Sequence, residues 1–430
     1  MNEPKISSIT PREVLNSKGQ PTVEVDVWTN TGALGRGSFP CGTSVGSHEA
    51  QVLLDNENRF GGLGVKKAVR NVTEVISPVL AGKYVTHQKE IDNFLIELDG
   101  TLNKSYLGAN AVYSVSIAVA RAAANALGVP LYRYLGGEDA HTLPIPMLNV
   151  INGGVYGEIK MEFQEFLLIP TTADCYAEAL RMSVEVFYQL GEMIKEKCGD
   201  ACLRTGHSAG YAAAVNDPAE VIEILLAAVR RADYEGRFKI GLDCAGSHFY
   251  NRQEGYFGFR GNKLTPVEMI QYLEELSRVY PIFVIEDPLD EDDFRGFAEL
   301  TQRLNLLISG DDLFVTNNER LKQGIRFGAA NALVLKPNMV GTITEALETA
   351  CWAKEHEYVV IPSIRSGGGI DDPIPDIAVA VGAQLMKPGA PRSGERTACH
   401  NRLLRIEEEL EGTSRYASFE ALEHWMITRS

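Results

Sequence analysis

The chain has 430 residues, 45% of them hydrophobic and 23% charged, with a formal net charge of -16. That length predicts two or three domains, an α/β barrel of about 250 residues counting as one. The acidic balance argues against nucleic acid or an anionic membrane surface as partner, and no apolar run approaches the roughly 20 residues of a membrane span. In chain order, PTVEVDVW (21–28) alternates apolar and polar residues and predicts a strand, whereas ANAVYSVSIAVARAAANAL (109–127) has helical periodicity. Strands followed by helices predict a compact α+β domain over residues 1–140. The small residues of 109–127 suit close packing in that domain or against a partner subunit. LPIPMLNVINGG (143–154), with two prolines and two glycines, marks a boundary just before it.

Beyond that boundary, short apolar runs alternate with helix-length segments. They are FQEFLLI at 163, FKIGLD at 238, PIFVIED at 281, LLISGDD at 306, NALVLK at 331, YVVIPS at 358 and AQLMK at 383. Repeated strand and helix units predict a closed barrel of parallel strands over residues 141–430. The N-terminus, MNEPKISSIT, lacks the apolar stretch of a signal peptide, and we expect a cytoplasmic protein. Seven scattered cysteines suit free thiols in a reducing compartment. Cys198 and Cys202 have the spacing of half a zinc site, but no second pair or histidine cluster completes it.

The chemistry stands at the ends of the runs. Asp243, Glu286, Asp311, Lys336, Arg365 and Lys387 each sit at, or within a few residues of, the C-terminal end of a predicted strand. One such residue alone reads equally well as a helix cap or a solvated rim charge. Six in succession, on the face where barrel strands converge, predict an active site. Three carboxylates supply hard oxygen ligands for Mg²⁺, and the lysines and arginine meet an anionic substrate. A metal-assisted reaction on an acidic small molecule follows.

A competing motif lies at 206–210, where GHSAG fits the G-x-S-x-G nucleophile elbow of serine hydrolases. An elbow needs an apolar strand before it and a substantial helix after it. Here KEKCGDACLRT precedes, YAAAVNDP follows and is stopped by Pro218, and no HGGG segment is present. The hydrolase reading is set aside.

EVLNSKGQPTVEVDV, PCGTSVGSHEA, LDGTLNKSYLGANA, PIPMLNVINGG, QEF at 164–166, IEDPLDEDD, GDDLFVTN, LVLKPNMVGT, IRSG and LLRIEEEL run in this order along nearly the whole chain. In these segments the sequence resembles the enolases. The resemblance implies an N-terminal α+β cap and an enolase-type modified (β/α) barrel, a homodimer or an assembly of dimers, and two Mg²⁺ ions. Asp243, Glu286 and Asp311 would hold the first ion, and Ser44 in the N-terminal loop would help complete the second. Lys336 would remove the proton α to the substrate carboxylate, and Lys387 would help stabilise the enolate. Arg365 and Ser366 would bind a phosphate. For Lys336 to act as a base its pKa must fall, which the two ions and Lys387 would accomplish.

The same comparison shows departures. Where enolases carry Gly-Asp-Glu-Gly-Gly, with the glutamate as acid on the departing hydroxyl, this chain has Gly206, His207, Ser208, Ala209 and Gly210. Two active-site histidines of the family are replaced by Tyr156 and Ile364, while Glu165 and its neighbour Gln164 remain. His207 offers an alternative proton donor. His48 matches the family but serves to close its loop, and His248 stands where a glutamate is usual. The residues imply a diverged paralogue acting on a phosphorylated or phosphonate substrate, similar to the carboxyphosphonoenolpyruvate synthase of phosphonate and phosphinate natural-product pathways. The alternatives are a phosphopyruvate hydratase with rearranged acid chemistry and a noncatalytic scaffold.

Overall fold

The structure, a computed structural model, describes residues 3–43, 45–154, 161–199, 205, 206, 208–213 and 215–429. Its N-terminal part is an antiparallel meander of strands Ile6–Leu15, Pro21–Thr29 and Leu34–Ser38, followed by helices that include Gln88–Asp99 and Ala109–Leu127. Val23, Val25 and Val27 share one face of the central strand and are fully buried. On the opposite face Arg12 and Arg36 pair with Asp26, whose carboxyl they hold at about 2 against the opposing pull of burial. The helix Ala109–Leu127 lies directly on this sheet. A Cβ on Gly35 would stand 2.0 Å from the Ala118 carbonyl, and one on Gly37 would stand 2.5 Å from that of Ser114. Small residues on both sides let the two backbones touch, which is the packing role expected of that helix.

The rest of the chain closes an eight-stranded barrel. Leu148–Asn152, Glu165–Pro170, Phe238–Asp243, Ile282–Glu286, Leu307–Gly310, Ala332–Leu335 and Val359–Pro362 follow one another around the sheet. Leu385–Met386 then pairs with Ile145–Pro146 and, through Lys387, with Ser363, which completes the ring. Every predicted run forms a strand, and the segment 143–154, read as a boundary marker, supplies one more. One expectation is corrected. Glu165–Pro170 runs antiparallel to both of its neighbours, so the barrel is not wholly parallel. Antiparallel neighbours can be joined without the helical crossover that parallel neighbours need; the connection from Asn152 to Glu165 spans residues 153–164.

The barrel strands are buried along their length because helices cover the outside and side chains fill the inside. Cys41, Cys175, Cys244, Cys351 and Cys399 are free thiols. The side chain of Cys198 and all of Cys202 lie outside the described residues, as do Ser44, Tyr156 and His207. No helix among the described residues is long and apolar enough to cross a membrane.

Candidate active site

The reversed strand places a residue that strand-end reasoning by itself would miss. Because Glu165–Pro170 is antiparallel, its first residue, not its last, lies at the rim where the other strands end, and Glu165 is paired in register with Asp243. Asn149, on the strand that was read as a boundary, donates to Glu165 Oε1 at 2.6 Å. Gln164 donates to Asp243 Oδ2 at 3.3 Å. The run at 163–169 gives no sign of this reversal, because the strand Glu165–Pro170 is buried on both faces.

Around that pair the predicted residues converge. Lys387 reaches Glu286 Oε2 at 2.6 Å and Asp243 Oδ2 and Glu165 Oε2 at 3.2 Å each. Lys336 forms an ion pair with Asp311. All of these groups are buried or nearly so, and four carboxylates face two ammonium groups. Burial and the neighbouring acids, Asp243 first, push Glu286 well above the usual carboxylate range. Burial also raises Asp243, whereas in Asp311 the charges of Lys336 and Lys387 outweigh burial and lower it. The Lys336 ammonium is pulled down by burial, but Asp311 overrides that pull and raises it. The chain's own groups thus act against a basic Lys336, and the lowering expected from neighbouring cations would have to come from bound metal ions.

Two oxygens fit such an ion. Glu286 Oε1 and Asp311 Oδ1 are buried without any hydrogen-bond partner, so each presents a lone pair that a hard cation can accept. Asp287 and Asp312 lie close to Asp311, their ligand atoms within 4.8 Å of one another. Asp287, however, accepts the backbone N–H of Asp311 at 3.1 Å and of Asp312 at 2.7 Å. Its carboxylate shapes the turn, which leaves Asp243, Glu286 and Asp311 as the better donor set.

The N-terminal loop covers this rim. Glu49 binds both terminal nitrogens of Arg365, with Oε1 at 2.6 Å from Nη2. Ser47 holds Glu291 at 2.6 Å, and His48 Nε2 lies 2.8 Å from Asp292. His48 therefore fastens the loop, as expected. Thr43 Oγ1 and Ser366 Oγ are 2.7 Å apart. His248 lies on the short turn after Asp243, and burial lowers its pKa although Asp243 and Glu291 oppose this. Beneath the loop the cavity measures about 30 Å³ and is lined by Glu165, Ser208, Lys336, Ile364, Arg365 and Lys387, among others. That is far below the few hundred Å³ of an ordinary ligand pocket, so with the loop in this position the cavity leaves little room for a substrate. A much larger cavity of about 830 Å³, around Leu304, Asn331 and Trp425, lies at the opposite ends of the strands, where barrels do not build active sites.

The family model for the enolase C-terminal TIM barrel domain matches residues 140–424, and that for the enolase N-terminal domain matches residues 6–135. The chain belongs to the enolase family. It is 48% identical over 417 residues to the enolase of Methanopyrus kandleri, covering 96% of this chain and 98% of the relative. It is 46% identical over 420 residues to the enolase of Pyrococcus furiosus, covering 97% of each, and 47% identical over 413 residues to that of Methanocaldococcus jannaschii, covering 96% and 97%. An enolase-family lyase is thereby established, with the cap and barrel of that family.

Within this enolase-family pocket, Ser208 is 4% exposed and sits in a tight turn, Gly206 N–H donating to Gly210 carbonyl at 2.9 Å. A bridge between Thr205 and Tyr211 flanks the turn, and a short strand, Tyr211–Ala212, follows it. No helix follows directly, so GHSAG is not a nucleophile elbow. Arg392 anchors the turn by donating to Ala209 carbonyl at 2.7 Å and Gly210 carbonyl at 3.2 Å while stacking over Tyr211. Asn149, Arg392 and Arg396 were absent from the sequence-derived site, since none stands at the end of a predicted run.

Proposed function

We propose that this protein abstracts the proton α to the carboxylate of a 2-phosphoglycerate-like acid, using Lys336 as base. The observation that carries the reading is the buried convergence of Lys336 and Lys387 with Asp243, Glu286 and Asp311. Asp243, Glu286 and Asp311, with Ser44 for a second ion, would hold Mg²⁺, which would supply positive charge where the substrate carboxylate becomes an enolate. Lys387 stabilises the same developing charge, and Arg365 and Ser366 orient a phosphate once Glu49 releases the arginine. The names of the relatives favour phosphopyruvate hydratase, the interconversion of 2-phosphoglycerate and phosphoenolpyruvate. That reaction needs rearranged acid chemistry, with His207, which lies outside the described residues, as donor to the departing hydroxyl.

A second reading is favoured by Ser208 and Ile364, which line the cavity in place of an acid and a histidine. A serine hydroxyl has no useful proton to give at neutral pH, so the same enolate would lose or accept a different group. A phosphonate substrate of the carboxyphosphonoenolpyruvate type suits that chemistry. One experiment separates the readings. Purified protein is given Mg²⁺ and 2-phosphoglycerate in D₂O, and phosphoenolpyruvate is followed by absorbance and C2 deuteration by NMR. Substantial phosphoenolpyruvate supports the hydratase, and deuteration alone supports the second reading. Neither signal, with no Mg²⁺-dependent ligand binding, sinks every reading based on 2-phosphoglycerate.

A further inference from the structure

Arg396 differs from every other cation of the pocket. It lies in the first turn of the helix Gly394–Glu409, is 3% exposed, and lines the same cavity as Arg365 and Ser366. Lys336, Lys387 and Arg365 are each matched by carboxylates. Among the described residues Arg396 Nε has no hydrogen-bond partner, and its one ion pair is Glu395 Oε1, 3.7 Å away and beyond hydrogen-bond reach. A buried guanidinium in this condition is costly unless something else accepts its hydrogens. Gly389 makes room for the Arg396 side chain itself, because a Cβ there would stand 2.7 Å from Arg396 Cδ and 3.0 Å from Nη1.

Other donors face the same spot. Lys18, from the N-terminal sheet's first turn, donates to the Gly42 carbonyl at 2.9 Å and to Thr43 Oγ1, and Thr43 in turn bonds Ser366. Burial, and then the charges of Arg365 and Arg396, bring the Lys18 ammonium down to about 8. Of the cations that line the cavity, Arg396 is the one with no carboxylate within hydrogen-bond reach among the described residues.

We propose that Arg396 is a substrate-binding residue which, beside Arg365 and Ser366, completes a subsite for a tetrahedral oxyanion, the phosphoryl or phosphonyl group of the substrate. A planar guanidinium fork matches such a group with two parallel hydrogen bonds. This rests on the proposed function only for the class of substrate that carries the group.

The test is calorimetric titration of the full-length protein with inorganic phosphate, comparing wild type with Arg396→Met and Arg396→Lys, together with thermal unfolding in the absence of phosphate. Arg396→Met is expected to weaken phosphate binding at least tenfold, and Arg396→Lys to retain part of the affinity. Without phosphate, Arg396→Met is expected to unfold at the same or a higher temperature, since it removes a buried charge whose one ion pair is too long for a hydrogen bond. Unchanged binding in the methionine variant overturns the proposal. So does a lowered unfolding temperature, which marks a structural arginine, or a wild type that does not bind phosphate. If the methionine variant does not fold, a folded Arg396→Lys with wild-type affinity overturns it equally. Because no turnover enters the titration, its failure leaves the C2 deuteration result standing, and the reverse holds as well.

Discussion

At Lys336 burial and charge pull in opposite directions, and the Asp311 carboxylate prevails. If Asp311 ligates a metal ion, as proposed, that hold would be released and the base strength of Lys336 would follow metal binding. Lys336→Met is expected to reduce C2 deuteration by about 10²–10⁴-fold, the usual worth of a positioned general base, as measured by NMR. Ser208→Glu restores a carboxyl to the cavity and is expected to raise phosphoenolpyruvate formation by about 10²-fold. A spectrophotometric assay showing no gain would mean that the rest of the pocket no longer presents a leaving hydroxyl to position 208. His400 gives a prediction about stability. It is fully buried beside the Tyr176 hydroxyl, and burial pushes its pKa from 6.5 down to about 4. Below 6.5 the unfolded chain takes up a proton that the folded chain refuses, so this contribution is complete above pH 6.5 and is lost as pH falls toward 4. It amounts to about 3 kcal/mol at most. In urea unfolding, His400→Gln is expected to lose less stability than wild type between pH 6.5 and 5.

Elements explain why particular residues meet. The helix Ala109–Leu127 was legible from periodicity, and its bounds agree with the quoted segment because Gly108 and Gly128, at φ 95 and 68, end it on both sides. What periodicity did not show is the surface this helix needs. Gly35 supplies that surface, and Gly35→Ala would drive a methyl into the Ala118 carbonyl and the Ala122 amide. The expected loss is about 1–3 kcal/mol, read from chemical denaturation. The strand Glu165–Pro170 was equally visible as an apolar run, yet its direction was not. Apolar runs report burial on both faces and carry no sign for parallel or antiparallel pairing. Direction decides which end of that strand meets the others, and hence whether Glu165 faces Lys387 or the far end of the barrel.

For the whole molecule, the cap and barrel act together, since the loop from the N-terminal sheet closes the cavity through Glu49, Ser47 and His48. Metal binding to the buried carboxylates is expected to stabilise the fold by mass action, about 2.7 kcal/mol at a Mg²⁺ concentration 100 times its dissociation constant. Thermal unfolding with Mg²⁺ and with EDTA checks this, and an unfolding temperature indifferent to Mg²⁺ would remove Asp243, Glu286 and Asp311 as ligands. The sequence by itself determined the strand and helix order, the family, and the six charged residues at strand ends. Those features depend on local periodicity and on position along the chain. Only the tertiary structure decided the reversed strand, the partners of Glu165, the turn that buries Ser208 and the unmatched Arg396. Each of these depends on which distant segments face one another across the barrel rim, and pairing between remote residues leaves no periodic mark in the segments themselves.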